Sequence, residues 1–525
     1  MPSDSRSAVL VGAGTVRTGR RSASRGRSRR LPGARKLHTW AGLGAGLWLA
    51  VLGITGFVLD HRDWSWLWQS TVPEFLVPAQ IITRARNGTV RLYQLNPDHP
   101  QQRIAGGPQG LWISNDSGQH WQPVIFNTST TVPGINVILD DPATHWPKLW
   151  LGTNDGVWEL DAATGTAQRV TLSGARITAL SAGALPTELL GVVDKSRTFR
   201  LDLTHDPRPT WIDLAAPAPD QLPENIGLSR LVHDLHFGRG LLAAPASLLI
   251  NDIGAWVMWL LPVGGFLFWW LPRRWKSTAR SEKPRAATRK HTLQWIYRLH
   301  GPTLGLVAVI PFLYLTLTGI LLDHAPELRA WMKTIQIPQT LQPPVYRLNS
   351  WENEIHAIAG YPDETDKFSL GTRLGLFTTQ DEGQNWTRET GKPVDPGFVW
   401  TLRRHGNDLL IGGMGGPNLQ RHKGSGWRPV KGTGHMPSDI SRDSNGGYLW
   451  LNREGLHPEL SAARLLPAQH SLPGLDGVPW YFVIDGLHSG MLIHAQWKWI
   501  NDIVALACLL LTVTGLVRWW RQRWI

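Results

Sequence analysis

The chain has 525 residues and a formal net charge of +13, and this length is too great for a single ordinary domain. The positive charge is concentrated in three segments, with net +9 over residues 1–36, +7 over residues 273–290 and +3 from Arg518 onward, so the rest of the chain sums to −6. Each segment lies beside a long apolar run, which is typical of the cytoplasmic flanks of membrane proteins and excludes a nucleic-acid-binding face. The single cysteine, Cys508, excludes an intramolecular disulfide, a multi-cysteine metal site and a covalently attached c-type haem.

In chain order, the sequence predicts a disordered basic arm over 1–36 and then four membrane-spanning helices, at 37–61, 247–272, 294–324 and 488–520. Each contains an apolar run of about 20 residues, the length of helix that crosses a bilayer. The arm, the loop at 273–293 and the tail at 521–525 are predicted to be cytoplasmic, with the segments 62–246 and 325–487 on the opposite side. We expect no cleaved signal peptide, because no small-residue cleavage site follows the first apolar run.

The predicted spans are duplicated in sequence. The first and third runs end in Thr-Gly-x-x-Leu-Asp-His, at residues 55–61 and 318–324. The second and fourth runs share Ile-Asn-Asp-Ile, at residues 250–253 and 500–503. The chain is therefore predicted to consist of two tandem repeats, each made of a span, an outer segment and a second span.

Both outer segments are predicted to be β-rich, because turn residues punctuate short runs of Val, Ile, Leu and Trp. Residues 149–160 predict a hairpin with an Asp-Gly turn. Residues 114–121 and 379–386 resemble the Asp-box, a hairpin motif in which an aspartate caps the turn and a glycine takes a positive φ. The motif indicates that hairpin and is not evidence for sialidase activity. We expect an α+β membrane protein whose outer segments are propeller-like or sandwich-like and could form one composite body.

Histidines occupy matching positions in the two repeats. Histidine is rare at the margins of membrane spans, because an ionisable imidazole gains nothing from lipid. A single histidine at a helix end is usually an interfacial polar residue, but a threefold match between repeats favours ligation inside the membrane. The matching pairs are His38 with His300, His61 with His324, and His236 with His488.

These histidines form two tiers. His38 and His61 are 23 residues apart, or about 34 Å of helix, so they cannot share one metal. His38 and His300 lie at the cytoplasmic ends of the odd-numbered spans, and the other four lie at or near the outer ends. Two tiers suit two or more bis-histidine haem b groups that form an electron path across the membrane. A non-haem metal is less favoured, because no Glu or Cys converges with these histidines.

Four polar residues could support the histidines. Asp60 and Asp323 each precede a histidine, and Asn251 and Asn501 lie toward the outer ends of the even-numbered spans. They could cap helices or join them by hydrogen bonds, or they could orient a histidine or a haem propionate from behind. We favour the orienting interpretation for the two aspartates and leave both interpretations open for the asparagines.

The sequence resembles the PepSY-associated transmembrane family. The resemblance lies in Leu-His-x-Trp-x-Gly at 37–42, the Thr-Gly pairs at 55–56 and 318–319, and Leu-His-x-Gly at 235–238 and 487–490. It covers the four spans and implies a four-helix core in which matching histidines bind haem. Members of the family include inner-membrane haem proteins that reduce ferric siderophores on the periplasmic side. The outer segments depart from the family pattern, with Asp-box hairpins in place of a PepSY module.

The resemblance implies a haem-dependent reductase of ferric siderophores or metals in the bacterial inner membrane, with both termini cytoplasmic and the large outer segments in the periplasm. Electrons would enter near His38 and His300 and leave near the outer histidines. The sequence carries no NAD or flavin motif, since Gly12-Ala13-Gly14 lacks the strand and the third glycine, so a quinol or a cytoplasmic partner is the expected electron donor. The lipid bilayer is an expected partner, and nucleic acid is not. The alternative is a non-enzymatic membrane anchor whose β-segments bind a ligand or a partner protein.

Overall fold

The computed structural model describes residues 33–127, 132–204, 207–278, 286–307, 309–389, 395–459, 472–474 and 476–524. Residues 1–32 of the predicted basic arm lie outside the described residues. Residues 279–285 of the predicted cytoplasmic loop and residue 525 of the predicted tail also lie outside them.

Long apolar helices alternate with short helices at the ends of the outer segments. In chain order, the helices are α1 Gly33–Asp60, α2 Trp66–Gln69, α3 Ala79–Thr89, α4 Leu228–His236, α5 Ala246–Thr278, α6 Ala286–Leu299, α7 Pro302–Val307, α8 Val309–Asp323, α9 Ala325–Thr334, α10 Trp480–His488 and α11 Lys498–Trp524. Short 3₁₀ helices cover Glu74–Leu76, Pro219–Gln221, Gln339–Leu341 and Pro344–Arg347.

The strands are short and pair almost entirely in antiparallel fashion, as their spacing between turn residues predicts. In the first outer segment they are β1 Thr71–Val72, β2 Leu92–Leu95, β3 Arg103–Gly107, β4 Gly110–Ser114, β5 Gln122–Pro123, β6 Ile125–Phe126, β7 Ile135–Asp140, β8 Lys148–Thr153, β9 Gly156–Asp161, β10 Thr166–Thr171, β11 Ile177–Ala182, β12 Glu188–Val193, β13 Arg197–Asp202, β14 Pro209–Ile212 and β15 Asn225–Gly227. In the second they are β16 Gln336–Pro338, β17 Ile355–Tyr361, β18 Glu364–Thr372, β19 Gly375–Thr379, β20 Thr387–Arg388, β21 Gly397–His405, β22 Asp408–Gly415, β23 Leu419–His422, β24 Arg428–Pro429, β25 Asp439–Arg442, β26 Tyr448–Asn452, β27 Gly455–Pro458 and β28 Val478–Pro479.

Within the described residues, six sheets of three to five strands build the outer body: β2–β5, β6–β10, β11–β14, β17–β20, β21–β24 and β25–β27. Neighbouring sheets contact each other through β2 and β7, β7 and β11, β11 and β17, β17 and β21, β21 and β25, and finally β25 and β2. The cycle of contacts is therefore closed. Both outer segments contribute to it, and one core cluster contains Val192 and Ile226 from the first segment together with Ile358 and Phe368 from the second.

The Asp-box hairpins have the geometry that the motif predicts. The Asp116 Oδ1 accepts a hydrogen bond from the His120 N–H at 2.9 Å, and the Asp381 Oδ1 accepts one from the Asn385 N–H at 2.8 Å. The glycine two residues after each aspartate has a φ of +85° or +91°, a conformation that other residues rarely adopt. These aspartates are engaged in turn capping, which is a structural role.

The hairpin predicted over 149–160 is present, but its turn lies one position earlier than predicted. Thr153 pairs with Gly156, so Asn154 and Asp155 form the turn. Gly156 has a φ of +94°, and a Cβ there would lie 2.4 Å from the Thr171 carbonyl oxygen. Glycine is thus required here by the close approach of β10.

Three described helical segments are long and apolar enough to cross a membrane: Lys36–Asp60, Ala246–Trp275 and Lys498–Val517. They correspond to the first, second and fourth predicted spans. The last of them begins at Lys498, because α10 ends at His488 and a separate turn joins it to α11. Helices α8 and α9 pass the same test only as a pair bent by 110°. The layout of four spans as two tandem repeats therefore stays a prediction.

The predicted third span, 294–324, is interrupted in the structure. Helix α6 ends at Leu299 and α7 begins at Pro302, with His300 and Gly301 between them. Proline lacks an N–H and clashes with the preceding turn, so it favours the start of a new helix over continuation of the old one. The break places His300 in a turn at the end of α6.

Helices from the first half of the chain pack against helices from the second half. Helix α1 contacts α5 and α11, and α8 contacts both of them as well. The short helix α4, which precedes the second span, packs against α8 of the other repeat, and α10 packs against α1. The short helix of each half of the chain is therefore held by a long helix of the other half.

Candidate functional site

His38 and His300, predicted at the cytoplasmic end, lie side by side. His38 is on α1, and His300 lies in the turn between α6 and α7. Their ring centroids are 6.3 Å apart, and the ring planes meet at 70°. We call these two residues the inner histidine pair.

Hydrogen bonds fix the tautomer of the inner histidine pair. The His300 Nδ1 lies 2.7 Å from the Leu261 carbonyl oxygen, which can only accept, so Nδ1 must carry the proton. The His38 Nδ1 lies 2.9 Å from the Thr514 Oγ1. The single Thr514 hydroxyl proton is donated to the Leu510 carbonyl at 2.8 Å, so this hydroxyl accepts from His38. In both neutral rings the lone pair is then on Nε2.

His236 and His488 form a second pair at the outer end. They are the last residues of α4 and α10, which lie just outside the spans. Their ring centroids are 6.4 Å apart, and the planes meet at 59°. We call them the outer histidine pair, and its geometry closely matches that of the inner histidine pair.

The outer histidine pair has the same tautomer for the same reason. The His236 Nδ1 lies 3.1 Å from the Thr318 Oγ1, and the His488 Nδ1 lies 2.8 Å from the Thr55 Oγ1. Each threonine hydroxyl donates its own proton to the backbone carbonyl four residues earlier, at 2.6 Å for Thr318 and 2.7 Å for Thr55. Each therefore accepts from the histidine, and the lone pair is again on Nε2.

Glycines lie beside three of the rings, and at Gly265 the approach of the ring leaves no room for a side chain. A Cβ at Gly56 would lie 3.4 Å from the His488 Cε1, and one at Gly319 would lie 3.5 Å from the His236 Cε1. At Gly265 a Cβ would lie only 2.8 Å from the Cε1 of the inner-pair residue His300. A larger side chain at Gly265 would displace that ring.

Each pair could hold one haem iron between its two rings. A metal–imidazole bond is about 2 Å long and the ring centroid lies roughly 1 Å behind the nitrogen, so two imidazoles that share one iron would have their centroids about 6 Å apart. Each imidazole would also need to be neutral, with its other nitrogen donating a hydrogen bond, as in all four rings. His38 and Thr55 are 17 residues apart on α1, so the pairs are separated by about 25 Å along the helix. The described residues contain no group of three or more His, Cys, Asp or Glu that could hold a metal ion.

His61 and His324 contact aspartates of the other spans. The His61 Nε2 lies 3.7 Å from the Asp252 carboxylate, and the His324 Nε2 lies 2.8 Å from the Asp502 carboxylate. The ring contacts of His61 within the described residues are with aromatic neighbours on its own segment, and His324 lies 5.1 Å from the ring of Trp499. Within the described structure, the ring contacts of these two histidines are thus with carboxylates and aromatic side chains.

Asn251 joins three helices beside the outer histidine pair. Its Nδ2 donates to the His236 carbonyl at 3.0 Å and to the Asp60 carboxylate at 3.3 Å. Its Oδ1 accepts a hydrogen bond from the Tyr314 hydroxyl on α8. Asn251 therefore fixes the end of α4 that carries His236. Asp60 helps to hold the Asn251 amide in place by accepting its hydrogen bond.

Asn501 makes the equivalent contacts in the second repeat. Its Nδ2 donates to the Asp323 carboxylate at 3.1 Å and to the Ser489 carbonyl at 3.3 Å, directly after His488. Its Oδ1 accepts from the Trp48 indole at 2.8 Å. Both asparagines hold backbone next to a histidine, which is one of the two interpretations left open from the sequence.

The sequence interpretation did not assign roles to the residues that orient the rings: Thr55, Thr318, Thr514, Gly56, Gly265 and Gly319. The duplicated Thr-Gly pairs were a visible signal. Their partners were not visible, because the threonines contact histidines that are between 82 and 476 residues away in the chain.

Comparison with known proteins finds a family whose model matches most of the chain, including the outer segments that were expected to depart from the family pattern. A family model described as the PepSY-associated TM region matches residues 35–523. No curated protein matches the chain.

Solved structures resemble the chain only weakly. An ancestral GH74 enzyme matches at 8% identity and a TM-score of 0.33, covering 71% of this chain and 35% of its own. The extracellular domain of a hybrid two-component system from B. thetaiotaomicron matches at 10% identity and a TM-score of 0.32, covering 73% and 38%. A protein of unknown function from Bacteroides thetaiotaomicron matches at 8% identity and 0.32, covering 70% and 69%. The chain thus spans little more than a third of the length of the first two.

Proposed function

The chain belongs to the PepSY-associated transmembrane family, and from this premise we propose that it transfers electrons across the membrane through two bis-histidine haem b groups. The electrons would reduce a ferric siderophore or another metal substrate on the periplasmic side.

One observation carries this proposal. All four histidines of the inner and outer histidine pairs donate from Nδ1 to a neighbouring helix, and each pair has a centroid separation near 6.3 Å. An interfacial histidine has no need for a fixed tautomer or for a partner ring at that distance. Two histidines that would hold one haem iron need both.

The residues of the chain have distinct parts in this proposal. Haem, when bound, supplies reversible one-electron transfer between ferric and ferrous iron. The inner histidine pair holds the group nearest a quinol or a cytoplasmic electron donor, and the outer histidine pair holds the group nearest the substrate. Thr55, Thr318 and Thr514 keep the ring nitrogens correctly protonated, while Asn251 and Asn501 fix the backbone beside the outer pair.

The proposal includes a finer account of the architecture. We take α7 and α8 as one span, which gives a core of four helices in two tandem repeats. The six sheets of the closed cycle would be the blades of one propeller built by both repeats. The protein would lie in a bacterial inner membrane, with both termini cytoplasmic and the sheets in the periplasm.

Spectroscopy of the purified protein tests the proposal. Dithionite reduction should give a b-type haem spectrum with two haems per chain. His38→Ala and His300→Ala should each remove one haem and leave the other, whereas His422→Ala, at the exposed end of β23, should change nothing. A colourless preparation would contradict the haem proposal and favour the alternative, a membrane anchor whose β-body binds a ligand or partner.

Turnover tests the direction of electron flow. In inverted and right-side-out vesicles loaded with a quinol, a ferric siderophore with a ferrous-iron trap should be reduced only on the face that carries the sheets. His236→Ala and His488→Ala should abolish this reduction while the inner haem remains reducible by dithionite. Reduction on the opposite face would contradict the proposed orientation.

A further inference from the structure

Several cationic residues lie close together where the membrane-spanning helices meet the outer body of six sheets, here called the β-body. Although most of the chain outside its three basic segments is mildly acidic, Arg62, Arg91, Arg176, Lys195 and Arg239 lie together there, and we call them the basic chamber. Arg62 follows the end of α1, and Arg239 follows α4, the helix of the outer-pair residue His236. The chamber therefore lies directly beside the outer histidine pair.

Contacts with the β-body fix three of these residues. Arg91 precedes β2, and its guanidinium carbon lies 4.2 Å from the ring centroid of Trp68. Trp68 in turn donates from its indole to the Arg62 carbonyl at 2.7 Å. Arg176 precedes β11, and its Nη1 lies 3.8 Å from the Asp63 carboxylate. The segment after α1 is thus held against the mouths of two sheets.

The other two cations come from turns on the same side. Lys195 lies in the β12–β13 turn, where its N–H donates to the Thr178 Oγ1 at 3.1 Å and its carbonyl accepts from the Ile355 N–H at 2.8 Å. The Arg239 carbonyl accepts from the Arg373 Nη1 at 2.6 Å. Two different sheets and the ends of two helices therefore contribute to one charged surface.

Cations outnumber carboxylates at this surface, where the negative charges of Asp60, Asp63 and Asp234 act on the chamber. Among the described residues, Asp63 is the carboxylate in ion-pair contact with the chamber, through Arg176 alone. The Arg176 Nε is buried and has no hydrogen-bond partner in the described structure. All five residues are partly buried, and crowding partly buried cations together is unfavourable unless an anion joins them.

The protonation equilibria agree with this crowding. Burial, reinforced by the neighbouring Arg239, Arg62 and Arg176, holds the pKa of Lys195 well below its ordinary value. Burial and the charge of Arg62 lower the pKa of Arg239 to about 9. These groups lie outside the spans, and each would be stabilised in its charged form by a bound anion.

An anion at the basic chamber would have to bind at the open end of the closed cycle of six sheets, because the space inside the cycle is too small. The cavity on the ring axis, lined by His356 and Thr178 among others, has a volume of about 50 Å³, which holds only one or two water molecules. A guanidinium binds a carboxylate through two parallel hydrogen bonds, and four of the five cations are arginines. This composition suits a ligand with several carboxylates.

We propose that the basic chamber binds a carboxylate-bearing anion beside the outer histidine pair. This inference rests on the proposed function. If the protein reduces a ferric substrate, anion binding at the chamber narrows that substrate to a negatively charged ferric chelate. The same chemistry could come from a second source, the carboxylates of a cofactor held by the outer histidine pair, so the experiment has one arm for each source.

The first arm measures binding of gallium citrate, which is redox-inert, to the full-length purified protein by calorimetry. Lys195→Gln and Arg176→Gln should each weaken binding by about tenfold or more. Lys195→Arg keeps the charge and should retain binding. The matched control is Lys423→Gln, which removes an exposed lysine from the β23–β24 turn and should leave the affinity unchanged. Higher ionic strength should weaken binding by the wild type.

The second arm measures haem dissociation and the midpoint potential of the same variants without citrate. A change in these quantities with no citrate binding by the wild type would assign the chamber to the cofactor carboxylates. If neither quantity differs between Lys195→Gln and Lys423→Gln, in variants with unchanged melting temperatures, the proposal is wrong. A haem-free preparation that still binds gallium citrate, with binding weakened by Lys195→Gln, would contradict the proposed function but support the anion site at the basic chamber.

Discussion

Replacing Thr514 with valine tests whether the hydroxyl fixes the tautomer of His38. The substitution keeps the branched shape and removes the oxygen that accepts from the His38 Nδ1 at 2.9 Å. A buried N–H left without its acceptor costs about 1–3 kcal/mol. If that cost falls on the ligating tautomer, haem affinity at the inner histidine pair should fall by roughly 5- to 150-fold.

Thr512 provides a matched control on the same helix. Its hydroxyl donates to the Cys508 carbonyl at 2.9 Å, just as the Thr514 hydroxyl donates to the Leu510 carbonyl, but it contacts no histidine in the described structure. Thr512→Val therefore removes the same backbone hydrogen bond without affecting a ring. Any loss of haem affinity that occurs in Thr514→Val and not in Thr512→Val is therefore caused by the missing contact with His38.

Two assays report on this prediction. Haem transfer to an excess of apomyoglobin gives the dissociation rate, which should rise only in Thr514→Val. Nitrogen-15 NMR of ring-labelled histidines in the haem-free protein should show His38 protonated at Nδ1 in the wild type and a mixture of tautomers in the variant. Equal haem dissociation in the two valine variants, or a wild-type His38 protonated at Nε2, would refute the reasoning.

Three further predictions concern other parts of the molecule. Gly265→Ala places a Cβ 2.8 Å from the His300 Cε1, so it should destabilise the inner histidine pair by about 1–3 kcal/mol and release its haem, as measured by pyridine haemochrome. Arg373→Met leaves two buried carboxylates without a shared partner and should lower the free energy of unfolding by about 3–5 kcal/mol, as measured by denaturant titration. Burial lowers the pKa of His405 from 6.5 to about 4, so the unfolded chain binds the extra proton between these values. Stability should therefore decline by up to roughly 3 kcal/mol as the pH falls through that window, and His405→Gln should flatten the profile.

The first two of these predictions have a control variant in the chain. Gly515 is the sequence counterpart of Gly265, and a Cβ there meets no atom within 4 Å, so Gly515→Ala should be neutral or slightly stabilising. Arg428 is largely exposed, so Arg428→Met should cost less than about 1 kcal/mol. Equal effects at the two glycines, or at the two arginines, would contradict the packing arguments. A pH profile that is the same with and without His405 would contradict the third.

The sequence alone was sufficient for features that depend on local pattern. The apolar runs and their basic flanks located the spans that α1, α5 and α11 occupy, because the cost of placing charge in lipid acts on each segment separately. The Asp-box hairpins were also predictable, since the capping aspartate, the glycine and the turn are within a few residues of one another. The third span was less predictable, because Pro302 interrupts the helix while the hydropathy continues.

The pairing of the histidines needed the tertiary structure. The repeats indicated that six histidines were special, but not that His61 and His324 would face Asp252 and Asp502 while two other pairs approached each other. Which ring meets which depends on the rotation and crossing of helices. Those are set by packing between segments distant in the chain, and no single helix specifies them.

The closed cycle of sheets illustrates the same division. Strand lengths and turns follow from the sequence, whereas the contacts of β11 with β17 and of β25 with β2 join the two repeats. Hydrophobic burial is non-directional, so the sequence pattern of each sheet fixes which face is apolar and leaves its partner open. The sequence determined three of the spans and the Asp-box hairpins. Only the tertiary structure decided that each tier is completed by both repeats, because threonine and glycine of one repeat orient the histidine of the other.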